Sequence, residues 1–221
     1  AFNDARVLEE IWGQDADTWV ASPYAPNGSA SPIDGGFIFN GNWEFSSGTD
    51  SCDWIVLGGL VEGEAFVDGV PQMYHFLLPR ADYEIVEDSW NVMGLKGTGS
   101  KDIIVSDALV PDYRVLNATK VFDGTAAQEA GRDEALYRMP WSAIFPVALT
   151  AAVVGICEGA LECHFEYQAT RTSIVGPMSK NPYLSSRVGE AASEIHASRS
   201  QLLYNLSNMY QMAQKGVEIP L

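Results

Sequence analysis

Phe37-Ile38-Phe39-Asn40-Gly41-Asn42-Trp43-Glu44-Phe45-Ser46-Ser47-Gly48-Thr49 sets aromatic and β-branched residues in two short runs, with Gly35-Gly36 before them and a Ser-Ser-Gly turn behind. Runs of this kind between turn residues read as strands. The same punctuation extends outward from Ser22 to about Leu116, where Pro23, Pro26, Gly28, Pro32, Gly58, Gly59, Gly63, Gly69, Pro71, Pro79 and Pro111 bracket further runs. Trp54-Ile55-Val56-Leu57, Tyr74-His75-Phe76-Leu77-Leu78, Tyr83-Glu84-Ile85-Val86 and Asp102-Ile103-Ile104-Val105 recur at intervals typical of an antiparallel sandwich or barrel. They predict a middle β domain over residues 20–118.

Helical patterns flank it. Val7, Leu8, Ile11 and Trp12 fall at helical spacing before a break at Gly13, so residues 1–19 read as the end of an N-terminal helical domain. A polar, charge-rich connection over 119–138 leads into Met139–Ala169, where Ala, Leu and Glu replace turn residues and predict one long helix. A second helix is expected over Arg187–Gln214, with Val188, Ala192, Ile195, Leu202, Leu206, Met209 and Ala213 spaced by three and four on one face. Residues 139–221 thus read as the first part of a helical bundle. Strands followed by helices, with no internal repeat, give α+β and not a Rossmann-type alternation.

Composition bounds the function. The 221 residues are 47% hydrophobic and 19% charged, a globular balance. The net charge is -16, and no Lys or Arg lies between Arg6 and Arg80, so a phosphate backbone or an anionic membrane would be repelled over that third of the chain. Nucleic acid and membrane surfaces are therefore not expected partners. Met139–Cys157 is uncharged apart from its flanks, but it contains Pro140, Pro146, Ser142, Thr150 and Gly155 and reads as a buried core helix, not a membrane span. Three cysteines, Cys52, Cys157 and Cys163, without a CxxC, read as reduced thiols of a cytoplasmic protein. The sequence opens Ala1-Phe2-Asn3-Asp4, without an initiator Met or a basic and apolar leader, and reads as a segment of a longer subunit.

Few residues offer chemistry unaided. Cys157 and His164 share a helix face but stand about 10 Å apart along its axis, and Cys163 points elsewhere, so no metal is expected. His75 and His196 read as structural histidines. Gly97-Thr98-Gly99-Ser100-Lys101 lacks the Walker spacing and lies between strands, which favours a tight turn over a phosphate cradle. On an extended strand Trp43, Phe45 and Ser47 face one side, an aromatic wall ending in a hydroxyl suited to a flat heteroaromatic ring. A core strand followed by a solvated turn explains the same spacing.

Four segments taken together resemble the acyl-CoA dehydrogenase superfamily. They are Ser22-Pro23-Tyr24-Ala25-Pro26-Asn27-Gly28, Asp34-Gly35-Gly36-Phe37, Asn40 through Asp50, and Trp90-Asn91-Val92-Met93-Gly94-Leu95-Lys96-Gly97-Thr98-Gly99-Ser100-Lys101-Asp102. The similarity runs through essentially the whole chain and is strongest to the two-component flavin monooxygenase branch. Within that branch it points to oxygenases that hydroxylate a phenolic seco-steroid in bacterial steroid catabolism, with p-hydroxyphenylacetate hydroxylase oxygenases as cousins.

The resemblance implies a subunit of three parts, a central β domain between helical domains, assembled as a homotetramer. It implies reduced FMN or FAD delivered by a separate NAD(P)H-dependent flavin reductase, reaction with O2 to a C4a-hydroperoxyflavin, and hydroxylation of a phenol ortho to its hydroxyl. Ser22 would lie by flavin and substrate. The strand carrying Trp43, Phe45, Ser46, Ser47 and Gly48 would run along the isoalloxazine, with Ser47 the catalytic residue near N5. Arg171 would reach cofactor phosphate, although the family's Phe-Gly after it is replaced by Ile174-Val175-Gly176, one residue longer. Trp141 and Phe145 would contact the substrate, and ordinary bundle packing explains them equally. The base that sharpens the phenol would lie beyond Leu221. The rival of the same fold, an acyl-CoA dehydrogenase, is disfavoured because its Thr-Glu-Pro loop and Trp-Ile-Thr strand are replaced by Ser22-Pro23-Tyr24 and Trp43-Glu44-Phe45. A non-catalytic scaffold is the remaining alternative.

Overall fold

The structure is a computed structural model that describes residues 4–67, 69–174 and 176–220. Val175, the opening Ala1-Phe2-Asn3 and Leu221, which figure in the readings above, lie outside the described residues. The chain divides into two compact units, Ala1–Arg132 and Asp133–Leu221.

The first unit is built on eight strands: β1 (Val20–Ala21), β2 (Gly28–Ile33), β3 (Gly36–Ser46), β4 (Trp54–Val61), β5 (Met73–Pro79), β6 (Glu84–Val86), β7 (Lys101–Pro111) and β8 (Val115–Asn117). They form one sheet in the order β6-β7-β3-β2-β4-β5-β8, with β1 alongside β4. All pairings are antiparallel except β1 with β4 and β2 with β4, so the sheet is mixed. The two runs read as separate, Phe37–Phe39 and Trp43–Phe45, belong to the single strand β3, which continues through Asn40-Gly41. Its inward side chains Phe39 and Trp43 are wholly buried with Ile55, Leu57, Phe76, Leu78 and Ile103. Phe39 stacks on Phe76 with centroids 4.1 Å apart. A Cβ at Gly28 would strike both the Phe39 and Trp43 rings, and one at Gly41 would strike Trp43, so glycine at these positions makes room for the rings.

Helix α1 (Ala5–Trp12) starts at the Asp4 cap, whose carboxylate accepts from the Arg6 N–H at 2.9 Å, and buries Val7 and Ile11 against Leu77. Two short helices, α2 (Ala118–Phe122) and α3 (Thr125–Glu129), occupy part of the stretch expected to be an exposed connection, and Ala126 is buried.

His75 on β5 is buried between Tyr24 and Phe122, and its Nε2 has no hydrogen-bond partner among the described residues. Burial pushes its pKa below the ordinary histidine value, because the charged imidazolium loses its hydration. The unfolded chain takes up a proton near pH 6.5 while the folded chain resists until a lower pH, so stability falls as pH drops below about 6.5. Urea midpoints at pH 7.5 and 5.5 are expected to separate in the parent and to draw together in His75→Leu. An equal separation in both proteins would remove His75 as the cause.

The second unit holds two long helices, α4 (Trp141–Thr170) and α5 (Pro182–Gln214), joined through the small β9 (Thr172–Ser173) and β10 (Gly176–Pro177) hairpin. Asn181 caps α5, accepting from the N–H groups of Tyr183 and Leu184, and Pro182 opens it, so the helix starts five residues before the expected Arg187. The expected face of α5 is its less exposed side, ending in buried Ala213. Of the run Met139–Cys157, expected to be buried, Met139 is buried, whereas Leu149, Val153 and Ile156 are more than half exposed among the described residues. A helix apolar on all sides needs neighbours on all sides, and α5 covers one. By length and composition alone α4 is long and apolar enough to cross a membrane.

Candidate functional site

The site is built where β3 ends. β3 pairs Trp43 with Ile103 and Ser46 with Lys101, so two residues, Glu44 and Phe45, stand opposite the single Asp102. This is a β-bulge, and Phe45 takes it up in the left-handed region at φ 63°. The inserted residue reverses the alternation of the strand. Trp43 therefore points into the core, Phe45 points out at 66% exposed, Ser46 points in and is fully buried, and Ser47 is exposed.

The common wall of Trp43, Phe45 and Ser47 does not exist. Trp43 is 0% exposed, with its indole N–H shared between the carbonyls of Ala25 (2.9 Å) and Gly58 (3.0 Å), so its ring cannot touch a ligand. The Ser46 side chain is enclosed as well, and its Oγ has no hydrogen-bond partner among the described residues. What remains outward is Phe45, edge-on to Trp90 with centroids 6.2 Å apart, together with Ser47 and Gly48. Gly48 sits at φ 75°, and open space lies where a Cβ would stand.

Ser47 is held by the segment before β7. Its Oγ lies 2.8 Å from Ser100 Oγ, Ser100 Oγ lies 2.7 Å from Thr98 Oγ1, and the Thr98 hydroxyl donates to the Leu95 carbonyl at 2.9 Å. The Gly48 N–H donates to the Thr98 carbonyl at 2.8 Å. Lys101, next in line, bridges Asp50 at 2.9 Å and Glu87 at 2.5 Å, tying the turn after Ser47 to the start of β7. Both carboxylates hold the Lys101 ammonium above its ordinary pKa. Gly97–Lys101 is thus a tight turn, with Gly99 at φ 50°. Reading the turn for backbone shape alone missed Thr98 and Ser100, and the signal was their hydroxyls at alternate positions just before a strand.

The other expected residues are placed as follows. Ser22 is half-buried on the loop between β1 and β2. In the second unit Trp141 and Phe145 stack face to face, 4.4 Å apart and 14° from parallel, on the first turns of α4. Arg171 follows α4 directly, is exposed, and lies with its guanidinium 5.4 Å from the Tyr167 ring centroid.

Residues 147–221 match the family model described as acyl-CoA dehydrogenase, C-terminal domain. A pigment production hydroxylase from Rhodococcus erythropolis is 51% identical over 221 residues, covering 99% of this chain and 56% of that protein. The oxygenase subunit HsaA of a flavin-dependent monooxygenase from Mycobacterium tuberculosis is 40% identical over 224 residues, covering 100% of this chain and 56% of that one. The crystal structure of 3-HSA hydroxylase from Rhodococcus sp. RHA1 superposes with a TM-score of 0.86 at 38% identity, over 99% of this chain and 55% of the other. The chain spans about half the length of the relatives it matches.

Proposed function

We propose, from a chain that belongs to the acyl-CoA dehydrogenase-like oxygenase subunits of flavin-dependent monooxygenases, that the whole protein hydroxylates a phenol ortho to its hydroxyl, using O2 and reduced flavin. A seco-steroid phenol is the substrate favoured by the likeness to HsaA and to 3-HSA hydroxylase. The observation that carries the reading is the end of β3, where the bulge turns an aromatic ring and a hydroxyl outward on a chain similar to such subunits along its whole length.

The residues fit the edge of a flavin. Ser47 offers a hydroxyl to a ring nitrogen, Phe45 an apolar surface that excludes water, and Gly48 an open approach. When bound, reduced flavin supplies the electrons that activate O2 for attack on the aromatic ring. Ser22 belongs to the same reading as a contact to flavin and substrate. Arg171 holds flavin phosphate, and Trp141 and Phe145 contact the phenol. Trp43 and Ser46 act from beneath as the buried support of the strand. The domain plan of the same reading is 1–19 as the end of a helical domain, 20–118 as the flavin-binding domain, 119–138 as a connection and 139–221 as the start of the bundle. The exposed apolar sides of α4 are covered by further bundle helices in a cytoplasmic homotetramer.

The electrons reach the protein on flavin from a separate NAD(P)H-dependent reductase, a reading supported by the likeness to proteins named as oxygenase subunits or oxygenase components. Full-length protein is mixed with the seco-steroid phenol, O2 and NADH, with and without an unrelated flavin reductase plus FMN. Catechol is expected only with the reductase. Catechol at full rate without it overturns the two-component reading, and dye reduction driven by an acyl-CoA replaces it with a dehydrogenase.

A further inference from the structure

The three hydroxyls at the candidate site form a line with one possible order of protons. Leu95 carbonyl, Thr98 Oγ1, Ser100 Oγ and Ser47 Oγ stand 2.9, 2.7 and 2.8 Å apart in succession. Oxygen atoms this close repel unless a proton lies between them. There are three gaps, and the three hydroxyls supply one proton each. The carbonyl has none to give, so the gap beside it takes the Thr98 proton. The next gap then takes the Ser100 proton, and the last takes that of Ser47. Ser100 is 5% exposed, which keeps water from offering it another partner.

The anchor of the line is firm. Leu95 is held in the left-handed region at φ 58°, and its carbonyl also accepts from the Trp90 indole N–H and the Thr98 N–H, each at 3.2 Å. Trp90 in turn meets Phe45, whose own left-handed backbone leads into Ser47. The two strained residues thus bracket the line, one at each end, and the Trp90 ring joins them.

We infer that Thr98 and Ser100 are positioning residues that turn the Ser47 proton inward, leaving Ser47 Oγ a hydrogen-bond acceptor only, so that the site selects flavin in its reduced form. The inference rests on the flavin reading above. N5 of a reduced flavin carries hydrogen and donates; N5 of an oxidised flavin offers a lone pair and needs a donor. A serine free to rotate serves both, and a serine whose proton is committed serves the reduced ring alone.

The test is the affinity of the full-length protein for FMN in each state, titrated anaerobically with reduced FMN and separately with oxidised FMN. The parent is expected to bind the reduced form more tightly. Ser100→Ala and Thr98→Val each release the Ser47 proton and are expected to lower the reduced-to-oxidised affinity ratio about threefold to tenfold, the worth of one hydrogen bond. The midpoint potential of bound FMN rises with that ratio, so it should fall in these variants by about 15–30 mV, taking 29.6 mV per tenfold for two electrons. Ser47→Ala should lower the ratio too. A merely structural role would weaken both affinities together and leave the ratio and potential unmoved. A parent without preference, or a ratio that falls in Ser47→Ala but holds in both Ser100→Ala and Thr98→Val, overturns the inference while leaving the flavin reading intact. Failure of the parent to bind FMN in either state overturns the flavin reading itself.

Discussion

Trp43→Ala is expected to destabilise the β unit by about 3–5 kcal/mol, the range for deleting a large aromatic from a close-packed core. The ring is wholly buried against Phe39, and Gly28 and Gly41 are shaped around it, so no neighbour can collapse into the space it leaves. Its N–H also joins the carbonyls of Ala25 and Gly58, which bind the loop before β2 to β4. Urea unfolding of the whole chain, followed by circular dichroism, measures the loss. A change within about 0.5 kcal/mol, as at an ordinary surface position, would mean that the indole is outside after all and would restore it as a wall for the cofactor.

Arg171→Ala is expected to weaken the binding of reduced FMN by about 1.5–3 kcal/mol, roughly tenfold to a hundredfold, if the guanidinium holds the flavin phosphate. Arg171 sits on the first residue past α4, with its backbone N–H donating to the Tyr167 carbonyl at 3.2 Å, so its position is fixed at the base while its head is exposed. Arg171→Lys should recover part of the affinity, since the charge stays and the planar fork is lost. Raising the salt concentration should shrink the gap between parent and alanine variant. Equal affinities for FMN in parent and Arg171→Ala would withdraw the assignment.

The strands and long helices were legible because each satisfies one rule along its length. Trp54–Leu57 and Tyr74–Leu78 are aromatic and β-branched runs bounded by turn residues, the face of α5 from Val188 to Ala213 repeats every three to four residues, and each lies where its pattern places it. β2 was not legible, because Ser29, Ser31 and Pro32 give it the composition of a loop, and it is a strand only through its pairing with β3 and β4. The site failed for a sharper reason. The alternation that put Trp43, Phe45 and Ser47 on one face is correct for an unbroken strand, and Phe45 is a poor candidate for the left-handed turn that breaks it. The hydroxyls of Thr98 and Ser100 are brought to Ser47 by the pairing of β3 with β7, 53 positions apart for Ser47 and Ser100, which local pattern does not reveal. The fate of α4 depends on what surrounds it, and composition describes only the helix itself.

Phe45 gives a way to separate what selection for durability and selection for activity each favour in this protein. A bulky residue in the left-handed region costs of order 1–3 kcal/mol, a cost glycine at the same position would avoid. Its ring is two-thirds exposed, so little core contact offsets that strain. A library randomised at position 45 and screened only for survival of heating should therefore drift toward Gly or Asn. The same library screened for retention of reduced flavin should keep an aromatic ring. The difference between the two winning populations reads out, in sequence alone, how much of the strain at the end of β3 is maintained by the ligand and how much by the fold.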